Sequence, residues 1–315
     1  MIHAPKIALA TATADRAPRQ GRARGHLLRL LASAPALLLC ACSGGVLDPK
    51  GPIGDAQRSI LLNSFVIMLF VVVPVIVLTL AFAWWFRASN TRAKYTPEWV
   101  YSGRIEFIVW AIPALVVMFL GGIAWVGSHD LDPWKPIESD RPAVEVQVIS
   151  LDWKWLFIYP DEGIASVNEL VVPAATPVHF RLTSATVMNS FFVPQLGSQI
   201  YTMAGMESQL HLQADAPGEF DGLSAQFSGE GFPDMHFRLR AVGDADYAAW
   251  LGRMRGAVDK LDLSAYRTLS EPGVEKRPRF YGAVEPGLFH AVMMQSHTLP
   301  DPKPGAARPA PAHSH

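Results

Sequence analysis

Thiol is the scarcest chemistry in this chain. Its two cysteines, Cys40 and Cys42, stand close together near the N-terminus, and no residue after Cys42 is a cysteine. The downstream chain is therefore excluded from any metal centre that needs a thiolate ligand, blue and binuclear copper centres among them. A disulfide between Cys40 and Cys42 would be badly strained. Charge is missing too, in two places: none lies between Arg58 and Arg87, nor between Glu106 and His129. At ~1.5 Å per helical residue each interval is long enough to cross a ~30 Å hydrocarbon layer, so both are expected as transmembrane helices, over about 59–86 and 106–128. The formal net charge of −1 gives no electrostatic case for a nucleic-acid partner. No internal repeat is evident. With 50% hydrophobic residues and a mean hydropathy of +0.18, the chain is too apolar for an ordinary soluble protein and too polar to be membrane throughout.

Acid is scarce at the N-terminus, where Arg16, Arg19, Arg22, Arg24 and Arg29 face Asp15 alone before the short apolar stretch Leu30 to Leu39. That order is a secretory signal, expected over 1–41. Leu39-Cys40-Ala41-Cys42 is similar to a bacterial lipobox, with Cys42 as the lipidated new N-terminus and Cys40 disfavoured because Leu39 precedes it. A plain cleaved signal and an uncleaved anchor are the alternatives. Between the two spans, Arg87, Arg92, Lys94 and Arg104 oppose only Glu98, so the positive-inside rule puts this loop in the cytoplasm. Residues 42–58 and everything after His129 then face the periplasm. Pro74 and Pro113 lie inside the spans, and Trp84, Trp85, Trp125 and Trp134 fall near the interfaces as an aromatic belt.

From Val144 the pattern changes to short alternating runs separated by Pro and Gly turns, which argues for an antiparallel sandwich or barrel over 141–242. After Gly243, Tyr247, Trp250, Leu251, Met254 and Val258 recur at helical spacing, so 243–297 is expected as a helical appendage and 298–315 as a disordered tail. His290, His297, His313 and His315 read as a solvated tail rather than a metal site. Met203, Met206 and Met235 read as core or surface filler rather than a copper-delivery surface, and His179, His211 and His236 as outward-facing strand residues.

The order of lipobox, Val46-Leu47-Asp48-Pro49-Lys50-Gly51, helical hairpin and β domain resembles subunit II of haem-copper terminal oxidases. Asp152-Trp153-Lys154-Trp155-Leu156-Phe157-Ile158-Tyr159-Pro160 is similar to that family's aromatic segment, and Val187-Met188-Asn189-Ser190-Phe191-Phe192-Val193-Pro194 to the strand that begins its copper site. The resemblance implies a two-helix transmembrane hairpin followed by a periplasmic cupredoxin-like β-sandwich or barrel. In the cytochrome c oxidase branch the copper site uses a histidine and a later Cys-x-x-x-Cys-x-x-x-His-x-x-Met loop. Here the corresponding positions are Asn189, Ser224, Gln226, Ser228, Phe232 and Met235, of which only the methionine survives. Hydroxyl and aromatic groups cannot replace soft thiolates and imidazole, so no metal is expected in this chain.

That departure makes the chain resemble the quinol-oxidising branch, subunit II of cytochrome bo-type ubiquinol oxidases. The resemblance implies partners: a haem-bearing subunit I that holds the haems and the remaining copper, small membrane subunits, the bilayer of a bacterial inner membrane, and ubiquinol as the complex's electron donor. It implies no complete catalytic apparatus in this chain. Glu106 opens the second span in a run similar to the family's Glu-x-x-x-Trp-x-x-Pro segment, which implies a place at the mouth of a proton path in subunit I. A free-standing lipoprotein that binds or delivers copper, and a cytochrome c oxidase subunit, are the competing readings.

Overall fold

The structure is a computed structural model that describes residues 45–94 and 96–298. The signal segment, Cys42 and the tail lie outside the described residues. Helix α1 (Pro52–Trp85) and helix α2 (Gly103–Asp130) form an antiparallel hairpin. Pro52 suits the start of α1 because its missing N–H is not needed there and its φ is preset for helix. Helix α1 thus begins before the charge-free stretch and takes in Asp55 and Arg58. At its other end, Arg87 donates to the carbonyl of Trp84 at 2.9 Å and Asn90 to that of Trp85 at 2.6 Å, which satisfies carbonyls the last turn leaves open. Apolar side chains are exposed on both helices, Phe70 to 77% and Phe107 to 73%. Both helices are long and apolar enough to cross a membrane, where either lipid or other apolar helices can cover them.

The β domain has two sheets. The first, in the spatial order β12-β3-β2-β1-β5-β8, uses β1 (Val144–Leu151), β2 (Lys154–Tyr159), β3 (Ile164–Val167), β5 (Val178–Ser184), β8 (Ser208–Leu212) and β12 (Arg279–Tyr281). The second runs β4-β10-β9-β6-β7, from β4 (Glu169–Pro173), β6 (Asn189–Phe192), β7 (Ile200–Thr202), β9 (Gly218–Ser224) and β10 (His236–Val242). β11 (Lys260–Leu261) and β13 (Ala283–Val284) make a two-stranded ribbon, and α3 (Asp244–Arg255), α4 (Leu263–Ser270) and α5 (Leu288–Thr298) complete the C-terminal region.

The expected antiparallel sandwich is corrected to a mixed one, because β1 pairs parallel with β5 and β4 parallel with β10. Turn residues mark where strands end but not which strand lies alongside. The chain changes sheets at Asn168, where φ is +57°. Its side-chain carbonyl accepts from the amide of Trp155 at 2.8 Å and its NH₂ donates to the carbonyl of Glu275 at 2.8 Å, so a residue tolerant of this backbone also ties three segments together.

Between the sheets lie Val146, Val148, Trp155, Phe157, Phe180, Phe191 and Phe237. The outer face of the first sheet is also covered, with Ile149, Leu151, Leu156 and Ile158 packed against Tyr266, Leu269 and Phe289 of α4 and α5. Strand β2 is buried on both faces, which is why it reads Trp-Leu-Phe-Ile-Tyr without alternation. Lys154, at its start, is buried and donates to the carbonyls of Leu269 at 2.9 Å and Glu271 at 2.8 Å, closing the end of α4; burial pushes its pKa down. The helical appendage is corrected in two respects: β12 adds a strand to the main sheet, and Val258 is exposed beyond the end of α3.

The hairpin joins the β domain through backbone. The amide of Lys50 donates to the carbonyl of Gln195 at 2.8 Å, that of Gly54 to Leu196 at 3.0 Å, and that of Asp215 to Lys50 at 2.9 Å. Gly51 lies against the carbonyl of Gln213 so closely that a methyl group would overlap it. Gly51→Ala should therefore destabilise the full-length protein by about 1–3 kcal/mol. Gly121→Ala, in open space on α2, should stay within about 1 kcal/mol of wild type. Detergent-solubilised thermal melts compare the two, and equal effects would refute a tight joint at Gly51.

Candidate functional site

The start of β6, the end of β9 and the loop between β9 and β10 converge on one corner of the sandwich. Asn189 is fully buried, and its side-chain carbonyl accepts from the hydroxyl of Ser224 at 3.0 Å while its NH₂ donates to the carbonyl of Val187 at 3.3 Å. The Ser224 hydroxyl also lies 3.2 Å from the carbonyl of Gln226, and the Ser224 amide donates to the carbonyl of Met235 at 3.1 Å. Ser228 sits 3.9 Å by its hydroxyl from the sulfur of Met235, which is buried in the core. Asn189, Ser224, Gln226, Ser228 and Met235 are thus brought together at one corner. Phe232 opens a short 3-10 turn, Phe232–Asp234, and its ring packs edge-on against Phe227 at 5.6 Å.

Trp153 closes this corner. It occupies the two-residue turn between β1 and β2 with φ at +67°, a conformation costly for a bulky residue. Its indole N–H donates to the carbonyl of Ser228 at 3.2 Å, and its ring lies so close to Gly231 that a methyl group there would overlap it. No pattern in the sequence marks this arrangement, because positive φ usually falls to glycine or asparagine. The backbone strain is held by the indole's contacts with the loop.

Two models of known families match: Cytochrome C oxidase subunit II, periplasmic domain, over residues 161–242, and COX Aromatic Rich Motif over 257–296. Cytochrome bo(3) ubiquinol oxidase subunit 2 of Pseudomonas aeruginosa is 47% identical over 280 residues, covering 89% of this chain and 84% of that protein. Ubiquinol oxidase subunit 2 of Acetobacter aceti is 46% identical over 270 residues, 85% of this chain and 88% of that one. The chain belongs to the ubiquinol oxidase subunit 2 family. A further member, cytochrome bo(3) ubiquinol oxidase subunit 2 of Buchnera aphidicola subsp. Baizongia pistaciae, is 39% identical and is covered over 95% of its length.

In this member of the family the corner does not fit a copper pair. Its donors are an amide, two hydroxyls, a backbone carbonyl and one thioether, a set that lacks the thiolates and imidazoles a binuclear copper centre requires. The Asn189 and Ser224 side chains, moreover, satisfy each other. The strand histidines divide. His236 is exposed, as expected, and bonds the carbonyl of Pro233 at 2.8 Å. His211 is corrected: it is only 7% exposed, and its ring stacks on that of half-buried His179. Met235 is core, whereas Met206 is exposed. Glu106 stands exposed in the first turn of α2, its amide bonded to the carbonyl of Ser102 at 3.0 Å.

Copper added to the full-length protein should give no intense thiolate-to-copper absorption and no near-infrared band. The combined variant Asn189→His, Ser224→Cys, Ser228→Cys and Phe232→His should gain both, because the first three positions already meet around Met235. A wild-type spectrum with either band, or a well-folded quadruple variant that stays colourless with copper, would refute this account of the corner.

Proposed function

We propose that this chain is subunit II of a haem-copper quinol oxidase, which passes electrons from ubiquinol to oxygen in a bacterial inner membrane and translocates protons. The observation that carries this reading is the match to ubiquinol oxidase subunit 2 along most of the chain, combined with a subunit II copper corner whose thiolate and imidazole positions hold Ser224, Ser228, Asn189 and Phe232. Quinol delivers its electrons from within the bilayer, so a periplasmic copper relay has no task. In this reading the chain is a structural and assembly subunit: its hairpin packs on a haem-bearing subunit I, which carries the haems and the copper, and its β domain covers the periplasmic side. Cys42 is the lipidation site, supported by the apolar run and the small residue before it. Two spans already anchor the chain far more firmly than acyl chains do, so lipidation serves placement rather than retention.

Purification after mild solubilisation tests the reading. The chain should leave the membrane with haem-bearing subunits and with ubiquinol oxidase activity. Isolation as a free lipoprotein with copper bound through Met and His would favour the copper-delivery alternative.

Glu106 is proposed as a proton-entry carboxylate. The support is its position at the start of α2, next to a loop carrying Arg87, Arg92, Lys94 and Arg104, and the family-like run around it. A carboxylate at a membrane boundary can gather protons and release them to water in a channel, whereas an amide cannot. Glu106→Gln should slow turnover per haem while leaving haem content and subunit ratio unchanged, and Glu106→Asp should recover part of the rate. Loss of assembled complex in step with activity would point to a structural ion pair instead, and unchanged turnover per haem would eliminate the proton role.

A further inference from the structure

His179 and His211 are cross-strand partners on β5 and the edge strand β8. Their rings lie 4.5 Å apart and within 2° of parallel. His211 is nearly buried, and its Nδ1 is 3.1 Å from the carbonyl of Pro133. A carbonyl can only accept, so Nδ1 carries the hydrogen and Nε2 holds the lone pair in the neutral ring. Pro133 belongs to the segment 131–143 that joins α2 to β1. Further along that segment, Arg141 bonds the carbonyl of Ala174, the hydroxyl of Thr176 and the carboxylate of Asp244. Among the described residues, the bond from His211 is a hydrogen bond that ties this segment to the sandwich on the membrane side of Arg141.

Parallel rings direct their in-plane lone pairs along separate planes, so the pair is not disposed to converge on a metal ion. It is disposed to respond to protons. We propose that the His179–His211 stack is a proton-sensitive clasp, which holds the segment between α2 and β1 against β8 and releases it as the surrounding medium acidifies.

The charged groups around the stack are few. Gln209 bonds His179 Nε2 at 3.1 Å; Arg181 of β5 is held by Glu207 at 2.7 Å and Glu145 of β1 at 3.2 Å; Asp132 and Lys135 flank Pro133 on the segment. None of these is hydrogen-bonded to His211 Nε2. A proton placed there would charge a ring that is only 7% exposed and that faces a second imidazole across the stack. Burial pushes the His211 pKa below its ordinary value; the bond to Pro133 opposes it, and the neighbouring His179 adds a smaller downward push. The sign follows: the docked form favours neutral His211, so docking is fully favourable above the free-histidine range near ~6.5 and weakens as pH falls through it. Only the physiological setting rests on the function proposed above, in which the β domain faces the compartment that receives pumped protons. The clasp itself needs the described chain alone.

Hydrogen exchange of the full-length chain in detergent micelles, followed by mass spectrometry over 131–140 at about pH 7.5 and about pH 5, reads the clasp on both sides of the histidine range. After correction for the intrinsic pH dependence of exchange, protection of this segment should fall severalfold at the lower pH, while strands β1 and β2 stay protected. His211→Asn keeps a neutral N–H donor at the Nδ1 position toward Pro133 and should hold protection at both pH values; His211→Ala should lose it at both. His179→Gln leaves the clasp and the burial of His211 in place but removes the facing imidazole, and should reduce the pH response only in part. A wild-type segment with equal corrected protection at both pH values, or a His211→Asn variant that still responds like wild type, would overturn the proposal. These outcomes do not depend on whether the chain assembles with an oxidase, so a failure here and a failure of the functional reading are separate results.

Discussion

Everything on the periplasmic side rests on one aromatic cluster between the two sheets. Phe191 meets Trp155 at 5.5 Å, Phe180 at 5.3 Å and Phe237 at 5.0 Å, and Phe157 closes the group against Phe237 at 5.2 Å. Each such pair contributes about 0.5–1.5 kcal/mol beyond the area it removes from water, and the rings come from four strands that are far apart in sequence. Phe191 follows Asn189 by two positions and Phe237 follows Met235 by two, so the corner that carries copper in cytochrome c oxidases is a direct extension of this core. Hydrophobic packing holds the corner's floor in place whatever occupies its top.

That arrangement explains how a ligand set can be lost without loss of the fold. Removing thiolates and imidazoles from a buried corner would leave unsatisfied polar groups and a gap, each costing about 1–3 kcal/mol. Here the vacated roles are taken by groups that satisfy one another: Ser224 with Asn189, Ser228 beside Met235, and the Trp153 indole on the carbonyl of Ser228. The C-terminal region reinforces the same sheet from its other face, through Lys154 on the end of α4 and β12 along β3. The membrane hairpin meets this domain through backbone bonds around Gly51 and Gly54.

Much of this was legible in the residues alone, because the signals involved are long or absolute. Two charge-free intervals admit little besides membrane helices, and the absence of cysteine after Cys42 rules out thiolate ligation without any knowledge of geometry. The alternating runs from Val144 announced strands, but strand partners were hidden: parallel pairing of β1 with β5 brings together residues more than thirty positions apart, and no local pattern encodes that. For the same reason the sequence pattern makes His211 outward-facing, whereas the folded chain buries it. Alternation assigns it to the solvent side of β8, and only the returning segment at Pro133 covers it. The corner residues were identifiable by their match to a family motif, whereas the hydrogen bonds that now join them depend on side-chain positions that a motif does not specify. Trp153 was visible as an aromatic but not as a strained turn residue.

The central claim is that this β domain is complete without metal, its corner closed by its own hydrogen bonds over an aromatic floor. A ligand that binds the folded state alone raises stability in proportion to the logarithm of its excess over the dissociation constant. The most direct measurement is therefore the thermal unfolding midpoint of the purified full-length protein, recorded after exhaustive copper chelation and again with copper in large excess under reducing and oxidising conditions. The account predicts one midpoint throughout. A midpoint that falls on chelation and returns with copper would contradict it.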